Sequence, residues 1–120
     1  MHKETSTNAI NRKSLNEECG MAYTLAVIGG RWKLSILGFL MNGEKLRYNE
    51  IRRKLVGVSE RMLITQLKEL ERDGLIERTV YADVPPKVDY QLTDLGNSLQ
   101  EILNAMADWG DIHREKLQQE

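Results

Sequence analysis

One stretch, residues 58–78 (VSERMLITQLKELERDGLIER), restricts the fold more than any other. Ser59 precedes a periodic apolar run and suits a helix N-cap, its hydroxyl accepting from a free backbone N–H one turn on. Leu63, Leu67 and Leu70 recur at spacings of four and three, which places them on one buried face. At about 100° per residue, Arg61, Thr65, Lys68 and Arg72 fall on the opposite face. Asp73-Gly74 stops the helix, with Gly74 suited to a left-handed position just past its end. Leu75-Ile76 and Thr79-Val80-Tyr81 then have the apolar and β-branched content of a strand. A helix over about 59–73 with one aliphatic face and one basic, hydrogen-bonding face, running into a hairpin, has the form of a reader of the DNA major groove. A solvated amphipathic helix would carry the same pattern, so the flanking sequence decides.

Charge supports the first reading. The formal net charge is −1, which by itself argues against a nucleic-acid partner. Its distribution does not. Residues 31–87 hold twelve Lys and Arg against eight Asp and Glu, whereas residues 88–120 hold two against seven. The positive charge is gathered around the candidate reading helix, as an electrostatic footprint requires. At 120 residues the chain fits one domain, with a core built mainly from aliphatic side chains.

Upstream, residues 1–18 are polar and aperiodic and read as a flexible arm. From Cys19 the texture becomes small and apolar. Residues 22–28 suit a short helix, and Gly29-Gly30 a break or a close-packing point. Trp32, Ile36, Leu37 and Leu40 form a helical stripe ended by Asn42-Gly43, in which Trp32 packs in the core or at an interface rather than serving as a ligand platform. Residues 48–55 suit a helix with Ile51 and Leu55 inward and Arg52 and Arg53 outward. The short turn Val56-Gly57-Val58-Ser59 then completes a helix-turn-helix.

Downstream, residues 75–81 and 87–92 read as two strands flanking 82–86, whose paired prolines belong in a loop. With Lys87 at the tip and Arg78 at the base, this hairpin is the wing of a winged helix-turn-helix. Thr93 caps a last long helix, about 94–118. There Leu95, Leu99, Ile102, Met106 and Trp109 step by four, three, four and three, a seam resembling one side of a coiled coil. No other helix is long enough to cover it, so a homodimer interface is expected, packing along its own domain being the alternative.

Each DNA contact has a chemical reason. Arg61 and Gln66 suit bidentate contacts to guanine and adenine edges, and Thr65 suits a thymine methyl. Ser59, Lys68, Arg72, Arg52 and Arg53 suit phosphates, which set register without reading sequence. Lys87 and Arg78 bring the 82–87 wing to the adjacent minor groove or its backbone. Double-stranded DNA, read as an inverted repeat by a homodimer, is the expected partner. The alternative from another class is a winged-helix module that binds protein, whose wing should expose apolar rather than cationic side chains. A small-molecule inducer between the helices at the dimer interface, near Gly29, Trp32 and Met106, is a third possibility.

Other functions find little support. A single cysteine excludes an intramolecular disulfide framework and any cysteine-cluster zinc site. No signal segment opens the chain and no run of about 18 apolar residues spans a bilayer, so no membrane role and a cytoplasmic location are expected. His2 and His113 lack a two-histidine metal spacing, and no phosphate loop or nucleophile motif occurs. Neither enzymatic activity, metal nor cofactor is expected. Cys19 has two readings open, a small packing residue or a redox-sensitive thiol. A helix start favours a thiolate there, while Glu17 and Glu18 oppose it.

The same landmarks occur in fixed order in a known family. They are Cys19; the run Ile28-Gly29-Gly30-Arg31-Trp32-Lys33 with Ile36-Leu37; Ser59-Glu60-Arg61-Met62-Leu63 continuing to Leu67-Lys68-Glu69-Leu70; and Asp73-Gly74-Leu75-Ile76. Pro85-Pro86-Lys87-Val88, Tyr90, Leu92-Thr93, Leu95-Gly96 and Trp109-Gly110 complete the set. Over about residues 19–110 the chain resembles the HxlR-type winged helix-turn-helix regulators of bacteria and archaea. The resemblance implies a mainly α fold with a small β-hairpin, and a dimeric transcription factor whose N- and C-terminal helices form the interface. It also implies that the cysteine at position 19 senses oxidants or electrophiles in some relatives. The family often has proline after that cysteine, whereas here Gly20 follows and loosens the local backbone.

Overall fold

The structure is a computed structural model that describes residues 19–119. In chain order it contains α1 (Gly20–Ile28), α2 (Arg31–Phe39), β1 (Leu46–Arg47), α3 (Tyr48–Lys54), α4 (Glu60–Arg72), β2 (Ile76–Tyr81), β3 (Lys87–Leu92), α5 (Asp94–Asn97) and α6 (Gln100–Gln118). The arm expected over 1–18 lies outside the described residues. The mainly helical winged architecture expected from the sequence is the one observed.

The α1–α2 corner needs both of its glycines, for different reasons. Gly30 has φ +100, a conformation L side chains rarely adopt. A Cβ on Gly29 would run into the Leu25 carbonyl oxygen, so the last turn of α1 leaves no room for a side chain where the helix ends. Helix α1 starts two residues earlier than expected, with Cys19 as its N-cap.

Ile36, Leu37 and Leu40 of the α2 segment, Ile51 of α3 and the α4 stripe Leu63, Leu67 and Leu70 converge with Leu75, Ile76, Tyr90 and Leu92 in one core. The Ser59 hydroxyl accepts from the Met62 N–H at 3.0 Å, as a capping serine should. At the other end of α4 the Leu75 N–H reaches the Leu70 carbonyl and the Gly74 N–H reaches the Glu71 carbonyl, both at 3.0 Å. With Gly74 at φ +78 this is a Schellman stop, and it aims the chain directly into β2.

The hairpin pairs Ile76 with Leu92 at its base and Tyr81 with Lys87 at its outer end. A third strand was not legible: β1 pairs with β3 through Leu46↔Tyr90 and Arg47↔Asp89, giving the order β1-β3-β2. Two residues are too few for an alternating pattern to register.

The expected single helix over 94–118 is in fact two. Thr93 caps as anticipated, accepting from the Gly96 N–H at 3.0 Å, but it caps only the single turn α5. Ser98 then bonds back to the Leu95 carbonyl at 2.5 Å, the local competition by which serine disturbs helices. A Cβ on Gly96 would stand 2.1 Å from the Leu75 carbonyl, so α5 is pressed against the end of α4 before α6 departs. The proposed seam is therefore broken. Leu95 lies on the separate turn, and Leu99, together with Leu103, packs against the chain's own core. Ile102, Met106 and Trp109 continue along α6 as an exposed stripe, and no residue of α6 is buried. The radius of gyration, 16.0 Å, exceeds the roughly 13–14 Å of a compact domain of this length because α6 stands off the core.

Candidate nucleic-acid interface

Helix α4 presents its polar face as the sequence pattern requires. Arg61, Thr65, Lys68 and Arg72 are all exposed opposite the buried leucines. Arg61 lies in the first turn. The Thr65 hydroxyl donates to the Arg61 carbonyl at 2.9 Å, which leaves the face lined by a methyl and a guanidinium. Ser59 uses an oxygen lone pair in its cap, so its O–H remains a donor to a phosphate.

Other candidates are placed less simply. Gln66 is half-buried on the flank of α4, its amide donating to the Met62 sulfur at 3.4 Å. Arg72 lies about 16 Å along the helix from Arg61, and its Nε stands 3.4 Å from an Asp73 carboxylate oxygen. These residues therefore address different parts of any duplex. Arg52 and Arg53 are exposed on α3, with Arg52 3.9 Å from Glu60. Lys87 is not at the hairpin tip but opens β3, where its ammonium pairs with Asp83 at 3.1 Å. The tip itself is apolar, with Val84 fully exposed. The expectation of Lys87 at the tip is corrected accordingly: Lys87 flanks the turn at the outer end of the hairpin, paired with Asp83, and Arg78 lies farther down β2 opposite Tyr90.

Between α4, the start of α3 and the hairpin runs an open groove of about 790 Å³. Lys68, Arg78, Lys87 and Arg47 line it against the carboxylates of Glu60 and Glu71, leaving a positive excess. Burial pushes the Tyr90 phenol up, and a hydrogen bond from Arg78 opposes that shift. Burial also raises Tyr48, with the Glu60 carboxylate adding to the effect. The Tyr48 hydroxyl is buried without a hydrogen-bond partner. Arg47, Tyr48 and Asn49 are the groove residues that sequence reasoning missed. Only the unrecognised strand β1, which docks Arg47 beside Asp89, brings them to the hairpin.

Three other candidates lie elsewhere. Cys19 is exposed, so within one chain it is not the buried packing residue the sequence also allowed. Trp32 is half-buried against the core with the Arg31 guanidinium 4.4 Å from its ring centre. Trp109 is 66% exposed and stacks on His113 at 4.8 Å. Among the described residues no group of His, Cys, Asp and Glu is placed to hold a metal ion, and no helix is long and apolar enough to cross a membrane.

A basic helix behind a short turn, followed at once by a hairpin with a cation-lined groove between them, defines a winged helix-turn-helix DNA-binding protein. Residues 27–118 match the family model described as HxlR-like helix-turn-helix. The HTH-type transcriptional regulator YdeP of Bacillus subtilis (strain 168) is 46% identical over 101 residues, covering 84% of this chain and 78% of that protein. The redox regulator HypR in its reduced form superposes with a TM-score of 0.79 at 43% identity, covering 85% of this chain and all of that one. Its oxidised form gives 0.73 at 46% identity, over 78% of this chain and 95% of that one. The chain belongs to the HxlR-like helix-turn-helix family and is a DNA-binding transcriptional regulator. That family is one of regulators rather than of enzymes.

Proposed function

We propose that the protein binds an inverted repeat as a homodimer, with the N-terminal half of α4 in the major groove and the hairpin over the adjacent minor groove or its backbone. The observation that carries this reading is the exposed basic face of α4 running into the cation-lined groove beneath the wing. Arg61 and Thr65 read bases. Ser59, Lys68, Arg53, Arg78 and Lys87 hold phosphates, with Arg52 and Arg72 at the periphery and Gln66 entering only if it leaves Met62.

A dimer accounts for apolar surface that a monomer would leave in water. The α6 stripe Ile102, Met106 and Trp109 is exposed, as are Met21 and Leu25 of α1, at 80% and 61%. Patches of this kind mark association surfaces. Two-fold pairing through α1 and α6 sets two copies of α4 about one helical turn apart, on the order of 34 Å, or a multiple of it. Trp109→Asp is expected to give monomers in sedimentation and to abolish tight operator binding. Cys19, exposed at the start of α1, lies where oxidation can reach that association surface. Two Cys19 thiols from two copies would form one disulfide while diamide takes up the two electrons and two protons. The expected sign is a change of operator affinity that Cys19→Ser lacks.

Selection of sites from random duplexes, followed by a salt titration, tests the reading. Inverted repeats should emerge, and affinity should fall steeply with salt as bound counterions are released. The fully exposed apolar tip at Val84 favours a second reading, a wing that docks on protein. No enriched site and a flat salt response would support it against the first.

A further inference from the structure

Lys33 is the charged side chain that the fold buries, 4% exposed among the described residues. Its ammonium donates to Glu69 Oε1 at 2.6 Å. Its position is unfavourable on two counts. It stands in the first turn of α2, where the helix dipole disfavours a cation and no acidic residue of that turn compensates. It also forgoes hydration, a cost that a paired carboxylate only partly offsets. An aliphatic side chain at the same place would avoid both. A local rule broken in this way points to a function elsewhere in the molecule.

Glu69 supplies the place. It belongs to α4, so the ion pair bridges the two helices α2 and α4 beside the leucine stripe. Leu63, Leu67 and Leu70 hold α4 to the core, but apolar contact is non-directional and tolerates a small roll about the helix axis. A short charge-assisted hydrogen bond tolerates it far less. Glu69 follows Met62 and Gln66 by seven and three residues, so the clamp lies on the flank of the face that carries Arg61 and Thr65.

We propose that Lys33 is a positioning residue for sequence reading: its bond to Glu69 fixes the roll of α4 relative to α2, and thereby where Arg61 meets a base edge. This rests on α4 being the reading helix. At an outer radius of about 6 Å, a roll of about 15° moves a side-chain tip by about 1.5 Å. That breaks a bidentate hydrogen bond while leaving flexible lysines on their phosphates.

The test is the double variant Lys33→Met/Glu69→Met, which removes both charges at similar volume, an exchange that often leaves stability unchanged or raised. Circular dichroism and thermal unfolding should match wild type, and affinity for random duplex at fixed salt should be unchanged. Affinity for a selected site should fall about tenfold, the scale of one lost base contact, so the specific-to-random ratio narrows by the same factor. If the double variant does not fold, Lys33→Met alone leaves Glu69 access to water and is judged by that ratio. A folded variant that keeps the wild-type ratio overturns the inference alone. A wild-type protein with no preference for any selected site overturns the reading of α4, and the inference with it.

Discussion

Thr93→Val should destabilise the protein by about 2 kcal/mol, because one hydroxyl joins the end of α4 to the start of the C-terminal helices. It accepts from the Gly96 N–H at 3.0 Å and donates to the Gly74 carbonyl at 2.6 Å. Valine keeps the shape and removes both bonds, each worth about 1 kcal/mol net, in a half-buried site where water only partly replaces them. For a chain of this size that corresponds to a fall in Tm of roughly 8 °C. Urea unfolding at a fixed protomer concentration is the assay, since association would otherwise shift the midpoint. Thr93→Ser is the control. It retains the hydroxyl and gives up one methyl, a loss of no more than about 0.8 kcal/mol. Valine as stable as wild type would refute the reasoning. Serine as unstable as valine would show that the methyl contributes as much as the two bonds.

Arg61→Ala is expected to weaken a selected site by about 1–3 kcal/mol and to relax preference at particular base pairs, measured by titration against single-base variants. Equal losses on specific and random DNA would count against a base contact. Asp83→Asn frees Lys87 from its 3.1 Å partner. Binding to all duplexes should tighten, and the salt slope should steepen by about one unit. Tyr48 and Tyr90 both have raised folded-state values, led by burial. Their contribution to stability is fully present below the ordinary tyrosine value of about 10 and is lost as pH rises through the higher folded values. Unfolding midpoints should therefore drop in that alkaline range, and less so in Tyr90→Phe.

Most of α4 was legible because its information is local. The cap at Ser59, the leucine spacing and the stop at Gly74 all act within a few residues, and the structure keeps each of them. The hairpin was legible for the same reason, its proline loop separating two short β-rich runs. Contacts between distant segments were not legible. Strand β1 exists because Leu46 and Arg47 find Tyr90 and Asp89, and two residues carry no period of their own. The division of the last helix turns on the approach of Gly96 to the Leu75 backbone, a meeting that no spacing along the chain encodes. Lys87 reads as a free wing cation until the turn folds Asp83 back onto it. Nothing local marks Lys33 as buried, because its partner Glu69 comes from α4, 36 residues away. The sequence by itself determined α4, the turn before it and the hairpin after it, because those choices depend on propensity and periodicity. The tertiary structure alone decided which charges remain available to DNA, because pairing and burial depend on neighbours far away in the chain.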